Sequence, residues 1–202
     1  MSRPYRGKKV IHKPDGSVTV VTHLGPKRRS GGGGGGGCFP SSTRVLTPSG
    51  WRPIGELRPN ESVVSLDVAT EALASRVITH RIDYGQRQIW ALKFNLDQAP
   101  LQVTSTHSFL CKNGWKRVAE IEPGDILLCS TTGGLVEKTV LSATATQTQS
   151  EVHNIYTSVD NNFIVDGGFI AHNFSYLRAV RSWLHNLSVA EHGAREQPEL
   201  RY

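Results

Sequence analysis

The sequence predicts an all-β protein built on a duplicated β unit, and three observations carry that expectation. From Cys38 to Asn173, short β-branched and aromatic segments recur between clusters of Gly, Pro, Asn and Asp, no long amphipathic helix interrupts them, and one motif occurs twice with an offset of 64. The motif is Gly50-Trp51-Arg52-Pro53-Ile54-Gly55-Glu56-Leu57-Arg58-Pro59, echoed by Gly114-Trp115-Lys116-Arg117-Val118-Ala119-Glu120-Ile121-Glu122-Pro123, after which Val63-Val64 meets Leu127-Leu128. Two copies of about sixty residues are too few and too long for a solenoid. The expected architecture is therefore two β units closing on each other by pseudo-twofold symmetry, with core and turn roles for Trp51, Trp115, Glu56 and Glu120. Under the same offset Thr43 corresponds to His107.

In chain order, residues 1–30 read as a basic β-hairpin arm. Val10-Ile11 and Val18 to Thr22 flank Pro14-Asp15-Gly16, which is turn chemistry between two strands. A lone hairpin is marginal in water, so the arm is expected to lean on another element. Residues 31–37 are seven consecutive glycines, a tether with no side chain to pack and the largest backbone entropy to lose. Residues 38–173 form the body. Its expected strands are Arg44 to Leu46, Ser62 to Leu66, Arg76 to Ile82, Ile89 to Phe94, Leu101 to Thr104, Ser108 to Cys111, Ile126 to Cys129, Val136 to Leu141, Ile155 to Val159 and Phe163 to Val165. In the flank 174–202, Tyr176, Leu177, Val180, Trp183, Leu184 and Leu187 fall at helical spacing and predict one amphipathic helix.

Charge follows the same divisions. Residues 1–37 hold eight Lys/Arg against one acid, 38–173 hold eleven against thirteen, and 174–202 hold four against three, so the arm is +7, the body −2 and the last flank +1, and the chain's net +6 comes from the arm. A nucleic-acid partner would have to bind through that arm, and a solvated arm is the preferred reading. No apolar run approaches the roughly 18 residues of a bilayer-spanning helix, and MSRPYRGKKV lacks the apolar stretch of a secretory signal. The expectation is a soluble protein with no membrane partner, cytoplasmic or virion-associated. Cys38, Cys111 and Cys129 have neither disulfide-scaffold number nor CxxC spacing, so reduced thiols, no metal and no cofactor are expected.

The chemistry-bearing residues gather at the ends of the body. Cys38 opens it directly after Gly37, Thr104-Ser105-Thr106-His107 lies at a strand end in the second copy, and His172-Asn173 closes it before Phe174. CFPSSTRVLTPSGWRPIGEL, TSTHSF followed by GWKRVAEIEPGD, and NNFIVDGGFIAHN resemble the sequence blocks of Hint domains, the superfamily of inteins, bacterial intein-like domains and Hedgehog autoprocessing modules. The resemblance covers the 136-residue body and neither flank. It implies a horseshoe-like all-β fold whose two ends lie side by side, and it places this chain nearest the bacterial intein-like domains and mini-inteins.

Elementary chemistry agrees with that implication. Twisting an amide costs roughly 18 to 20 kcal/mol, but a thiol on the residue that supplies the amide nitrogen is already at high effective concentration. Cys38 is that thiol, and the Gly37-Cys38 amide is its target for rearrangement to a thioester. A cysteine titrates near roughly 8.5, so a base or positive neighbour must help. By resemblance, His107 protonates the departing amine and Thr104 holds the amide, while Gly37 lowers the cost of a strained backbone. At the other end, the Asn173 carboxamide attacks its own carbonyl to form a succinimide and breaks the Asn173-Phe174 bond, with His172 as general acid or base. Asn154 stands where the family has Asp or Asn, and Asn161 where many inteins have His. His153 is a partial substitute for the latter or a satisfied strand histidine, and Cys111 and Cys129 are expected to be buried.

Phe174 departs further. Splicing in the standard pathway needs Cys, Ser or Thr after the terminal Asn, and Phe174 has no nucleophile; Ser175 lies one residue too far for the usual ring. Cleavage is therefore expected to dominate over ligation. The substrates are the chain's own flanks, with an external thiol or amine as possible interceptor, and no turnover on an outside substrate is expected. Two other readings stand beside this one: Hedgehog-like acyl transfer to an external nucleophile, against which His172-Asn173 argues, and an inactive Hint-derived adaptor that presents the arm and the helix.

Overall fold

The computed structural model describes residues 5–25, 37–95 and 97–173, with side chains of residues 10–20 in the first segment. The expected helix in 174–202 and most of the polyglycine tether lie outside the described residues. What is described is all-β. The arm is a hairpin of β1 (Tyr5–His12) and β2 (Val18–Gly25), turning at Gly16, whose φ of 80° suits a residue without Cβ. The body begins with β3 (Phe39–Pro40), β4 (Arg44–Thr47), β5 (Gly50–Pro53) and β6 (Ser62–Leu66). It continues with β7 (Leu73–Lys93), β8 (Leu101–Val103), β9 (Ser108–Cys111) and β10 (Gly114–Arg117). The last strands are β11 (Ile126–Thr131), β12 (Gly134–Thr139), β13 (Ser142–Thr157), β14 (Asn162–Val165) and β15 (Phe169–His172).

Among the described residues these strands make two sheets. One runs β2-β1-β7-β13-β3 with β6 and β8 also on β7, and the other runs β10-β9-β11-β15-β14-β4-β5 with β12 on β11. β7 and β13 are long ribbons that take part along their whole length. The expected strands Arg76 to Ile82 and Ile89 to Phe94 are both parts of β7, because Asp83-Tyr84-Gly85 is a bulge and not a turn. Val152 pairs with Gly85 and His153 with Asp83, leaving Tyr84 as the extra residue, and Gly85 adopts φ 67°. The expected strand Ile155 to Val159 likewise starts at Ser142 and ends at Thr157, since Val159 and Asn161 have φ of 68° and 52° and turn the chain back into β14. β3, β5, β10 and β15 lie outside the expected strands; β3 has two residues, and β5 (GWRP) and β10 (GWKR) hold no β-branched residue.

The duplication reaches individual hydrogen bonds. The amide of Ile54 donates to the Thr43 carbonyl and that of Val118 to the His107 carbonyl, both at 2.8 Å. Gly55 donates to Ser41, and Ala119 to Ser105, at 3.0 Å each. The salt bridge Arg52–Glu61 (2.9 Å) recurs as Lys116–Asp125 (2.6 Å), and a single-turn 3-10 helix follows the hairpin in both copies, at Ile54–Glu56 and Val118–Glu120. The tryptophans are not core residues, however. Trp51 is 40% exposed with the Arg44 guanidinium 5.8 Å from its ring, and Trp115 is half-buried beside His172. The repeat conserves the turn frame while each indole covers an outer face.

The core lies between the sheets. Phe39, Phe109 and Phe163 are fully buried, with Phe39 6.1 Å from Phe109 and 6.0 Å from Phe163 in edge-to-face geometry, and Leu57, Ile78, Leu92, Leu127 and Ile155 complete the cluster. Cys129 and Cys111 sit in the same cluster; burial pushes their thiols up to about 12 and about 11, so both are neutral packing groups at physiological pH. Replacing Phe163 by Ala is expected to cost about 3–5 kcal/mol in urea unfolding; a loss below about 1 kcal/mol would show that this ring is not part of a close-packed core.

Candidate functional site

The site forms where the start, the middle and the end of the body meet. The turn between β8 and β9, residues 104–107, is closed by the His107 amide donating to the Thr104 carbonyl at 3.2 Å. Thr104 grips the first residue of the body by two hydrogen bonds. The Cys38 amide donates to Thr104 Oγ1 at 2.8 Å, and the Thr104 amide donates to the Cys38 carbonyl at 3.0 Å. The nitrogen of the Gly37-Cys38 bond is thus held by a hydroxyl. Cys38 is buried, its side chain in a small apolar cluster with Ile82, Tyr84, Ile89 and Val152, while the next residue, Phe39, enters the main core.

Three residues beyond Thr104, His107 is fully buried and lies 4.4 Å from the Phe39 ring, 5.7 Å from Phe109 and 6.0 Å from Phe163, measured between centroids. Neither ring nitrogen completes a hydrogen bond of ordinary geometry among the described residues. Gly37 presses directly on this imidazole: a Cβ built on Gly37 would fall 2.1 Å from His107 Cα and 2.3 Å from Nδ1. Glycine is required there by close approach, because any side chain would have to displace the histidine. Burial pushes the His107 imidazole down to about 3; the Gly37 backbone beside it opposes the shift and His172 adds to it. His107 is therefore a neutral base at rest, with no acidic proton to give until it has taken one.

The end of the body arrives on β15, where Ala171 and His172 pair with Phe109 and Ser108 of β9. His172 is half-buried, its ring 4.7 Å from Trp115. Burial pushes it down to about 4 against the opposing influence of Asp160. Asn173 is buried and clamped on three sides. Its amide donates to the Asn161 carbonyl at 2.9 Å, its Oδ1 accepts from Asn154 Nδ2 at 2.7 Å, and its Nδ2 donates to the Ile155 carbonyl. Asn154 is itself fixed, since its Oδ1 accepts from the Ile155 amide at 2.9 Å. These contacts determine which way the Asn173 carboxamide faces. Asn161, in the left-handed region, contributes its carbonyl, while its buried Oδ1 has no partner among the described residues.

Cys38, Thr104, His107, His172, Asn173, Asn154, Asn161 and Gly37 thus belong to one connected region, and Phe174 lies outside the described residues. His153 does not join them. Its Nε2 meets Ser41 Oγ at 2.6 Å and its Nδ1 meets Asp83 Oδ1 at 2.5 Å, so it is a satisfied histidine in a separate network. Sequence reasoning missed that network, because nothing in the spacing of Ser41, Asp83 and His153 marks them as neighbours. It also missed the Ile155 and Asn161 carbonyls, which no residue identity reveals. No group of three or more potential metal ligands occurs among the described residues. A cavity of about 540 Å³ lies beside Thr43, the repeat counterpart of His107, and is lined by Arg44, Gln102, Lys138 and Phe169 among others.

Both histidines are depressed below the ordinary value of 6.5. The unfolded chain takes up protons from about pH 6.5 downward, whereas the folded chain resists until about 4 at His172 and about 3 at His107. Stability is thus complete above about pH 6.5 and falls as pH drops through that window, by at most about 1.4 kcal/mol per pH unit for each histidine. Urea unfolding between about pH 6 and about pH 4 should show a shallower decline for the variant carrying His107→Gln and His172→Gln. An unchanged slope would mean that neither imidazole is buried in neutral form.

Comparison with known proteins gives a consistent result for the fold. No family model matches the chain. A stretch of 118 residues, 57% of this chain, is 30% identical to the replicative DNA helicase DnaB of Rhodothermus marinus and spans 12% of that protein. The DnaB intein from Synechocystis sp. PCC 6803 aligns with a TM-score of 0.63 at 20% identity, covering 69% of this chain and 99% of that structure. The Ssp DnaB mini-intein variant M86 also aligns at 0.63, with 18% identity over 69% of this chain and 95% of that structure. The bacterial intein-like domain from Clostridium thermocellum aligns at 0.56, with 18% identity over 67% of this chain and 98% of that domain. At such identities the shared property is the fold.

Proposed function

Starting from a body with the Hint fold of inteins and bacterial intein-like domains, we propose that the chain is a single-turnover self-processing protein whose substrates are its own flanks. The observation that carries this reading is the meeting of the Gly37-Cys38 bond, His107, His172 and the clamped Asn173 in one region. In the first step, neutral His107 takes the thiol proton of Cys38, and Sγ adds to the Gly37 carbonyl carbon. As the C–N bond breaks, the new imidazolium returns a proton to the Cys38 nitrogen, leaving a Gly37 thioester and a free amine. A base held near 3 in its resting form becomes a strong acid once protonated, which suits delivery to a leaving amine. Thr104 Oγ1 accepts from that nitrogen at 2.8 Å and so fixes the orientation of the scissile peptide against His107. Water, a thiol or an amine then takes the acyl group and severs the covalent link between residues 1–37 and the body.

In the second step, Asn173 Nδ2 attacks the Asn173 carbonyl carbon, the bond to Phe174 breaks, and a succinimide closes. The donation from Nδ2 to the Ile155 carbonyl leaves electron density on nitrogen, and Asn154 holds Oδ1 so that nitrogen and oxygen cannot exchange places. Asn154 is a positioning residue in this reading, and an aspartate there could not donate to Oδ1 when ionised. His172, depressed to about 4 and so neutral at physiological pH, takes the Nδ2 proton and passes it to the departing Phe174 amine. With phenylalanine at 174, no nucleophile waits to receive the acyl group, and cleavage prevails over ligation.

Intact-mass analysis of the purified chain tests both steps. Dithiothreitol is expected to accelerate formation of a fragment ending at Gly37, read as a mass in the denatured sample. Cys38→Ala abolishes that cut alone, Asn173→Ala abolishes the cut after 173 alone, and Asn154→Ala slows the second by about tenfold or more. Phe174→Cys is expected to bring a ligated product that the native chain lacks. A chain that remains intact with thiol over days, with all variants alike, would contradict the proposal and favour a non-processing adaptor.

A further inference from the structure

The arm is not free of the body. Val10, Ile11 and His12 of β1 pair in antiparallel register with Asp83, Ile82 and Arg81 of β7. On its other side β7 pairs with β13, where His153, Asn154 and Ile155 oppose the same three residues. Without β1, residues 81–83 would be a bare sheet edge with backbone donors and acceptors facing solvent. Side chains add to the ladder. Ile11 packs against the cluster that contains Cys38, Ile82 and Tyr84, and Asn60 Nδ2 donates to the Pro14 carbonyl at 2.9 Å.

Asp83 is the hub of this contact. Its Oδ2 meets His12 Nε2 at 2.8 Å, while its Oδ1 meets His153 Nδ1 at 2.5 Å and Arg81 Nε at 3.0 Å. His153 continues to Ser41 Oγ at 2.6 Å, three residues beyond Cys38. Burial alone would raise the Asp83 carboxyl, but hydrogen bonds from His153 and His12 and the charge of Arg81 hold it well below the usual carboxylate range. One ionised carboxylate thus joins the arm, both long ribbons and the start of the body.

We propose that residues 81–83 of β7 are a receptor edge for the chain's own N-terminal hairpin, so that the fragment 1–37 stays bound after the Gly37-Cys38 bond is cut. The first cut then yields a two-piece protein whose Gly37 terminus stays beside the cleft; when a thiol makes the cut, the Gly37 thioester it leaves is held there for a second nucleophile, which expels that thiol. The biological use of this edge rests on the self-processing reading; the edge itself does not, and the test separates the two.

A protease recognition sequence is placed within the glycine run of a full-length chain carrying Cys38→Ala and Asn173→Ala, which cannot process itself. After cutting with that protease, the hairpin fragment is expected to co-elute with the body in size exclusion at micromolar concentration. Adding Ile11→Asp and His12→Ala is expected to weaken retention by about 100-fold, so that the fragment elutes separately. Hydrogen exchange on the cut protein without the arm substitutions gives a second readout: the amides of residues 81–83 should stay as slow as in the uncut chain. A fragment that leaves the unsubstituted body, a substituted hairpin that stays bound, or faster exchange at 81–83 on cutting would each overturn the proposal.

Discussion

Cys38 and Thr104 exchange two backbone-anchored hydrogen bonds across 66 residues of chain, and the cleft could not exist without that closure. Holding the scissile nitrogen on a hydroxyl fixes where Gly37 must pass, and Gly37 then has nowhere to go except against the His107 ring. The ordering cost of such a long closure is considerable. It is offset by the buried aromatic cluster of Phe39, Phe109 and Phe163 on the one hand and by the long β7–β13 ladder on the other. The duplicated turn frame serves the same end. The hydrogen bond that seats Thr43 in one copy seats His107 in the other, so an element whose geometry was already solved carries the imidazole.

Two buried titratable groups are driven in opposite directions by what surrounds them. Around His107 there are rings and backbone, and the imidazole is driven neutral. Around Asp83 there are His12, His153 and Arg81, and the carboxyl is driven ionised. Both shifts arise from what surrounds a buried titratable group: without an opposite charge burial wins, and with three hydrogen-bonding partners it loses. The two surroundings lie on different sides of Cys38 in the chain's path, one touching the residue before it and the other reaching Ser41 just after.

Much of this was legible in the sequence. The strand pattern, the hairpin turn at Pro14-Asp15-Gly16 and the 64-residue echo correspond to observed strands and shared hydrogen bonds, because alternation and turn chemistry are local properties. The joining of two expected strands into β7 was not legible. Asp83-Tyr84-Gly85 has turn composition, and only the pairing with Val152 and His153 turns it into a bulge. At the site, Cys38, His107, His172 and Asn173 are candidates by the resemblance and by their place at the ends of the body, whereas the Ile155 and Asn161 carbonyls that hold Asn173 carry no signature. The role of Gly37 was read as conformational freedom, while the structure supplies steric contact with His107 as the reason. Long-range polar networks such as Ser41–His153–Asp83–His12 stay hidden for a similar reason, since their members are spaced by topology and not by any period.

The chemistry at the cleft depends on a neutral imidazole packed against the peptide bond that precedes Cys38. Imidazole nitrogen-15 chemical shifts of the Cys38→Ala chain, followed from about pH 8 to about pH 4, address it directly. The His107 resonances are expected to remain those of the uncharged ring throughout that range, with a proton contact to Gly37. A His107 that titrates near about 6.5 like a solvated imidazole, or that shows no contact with Gly37, would contradict that packing.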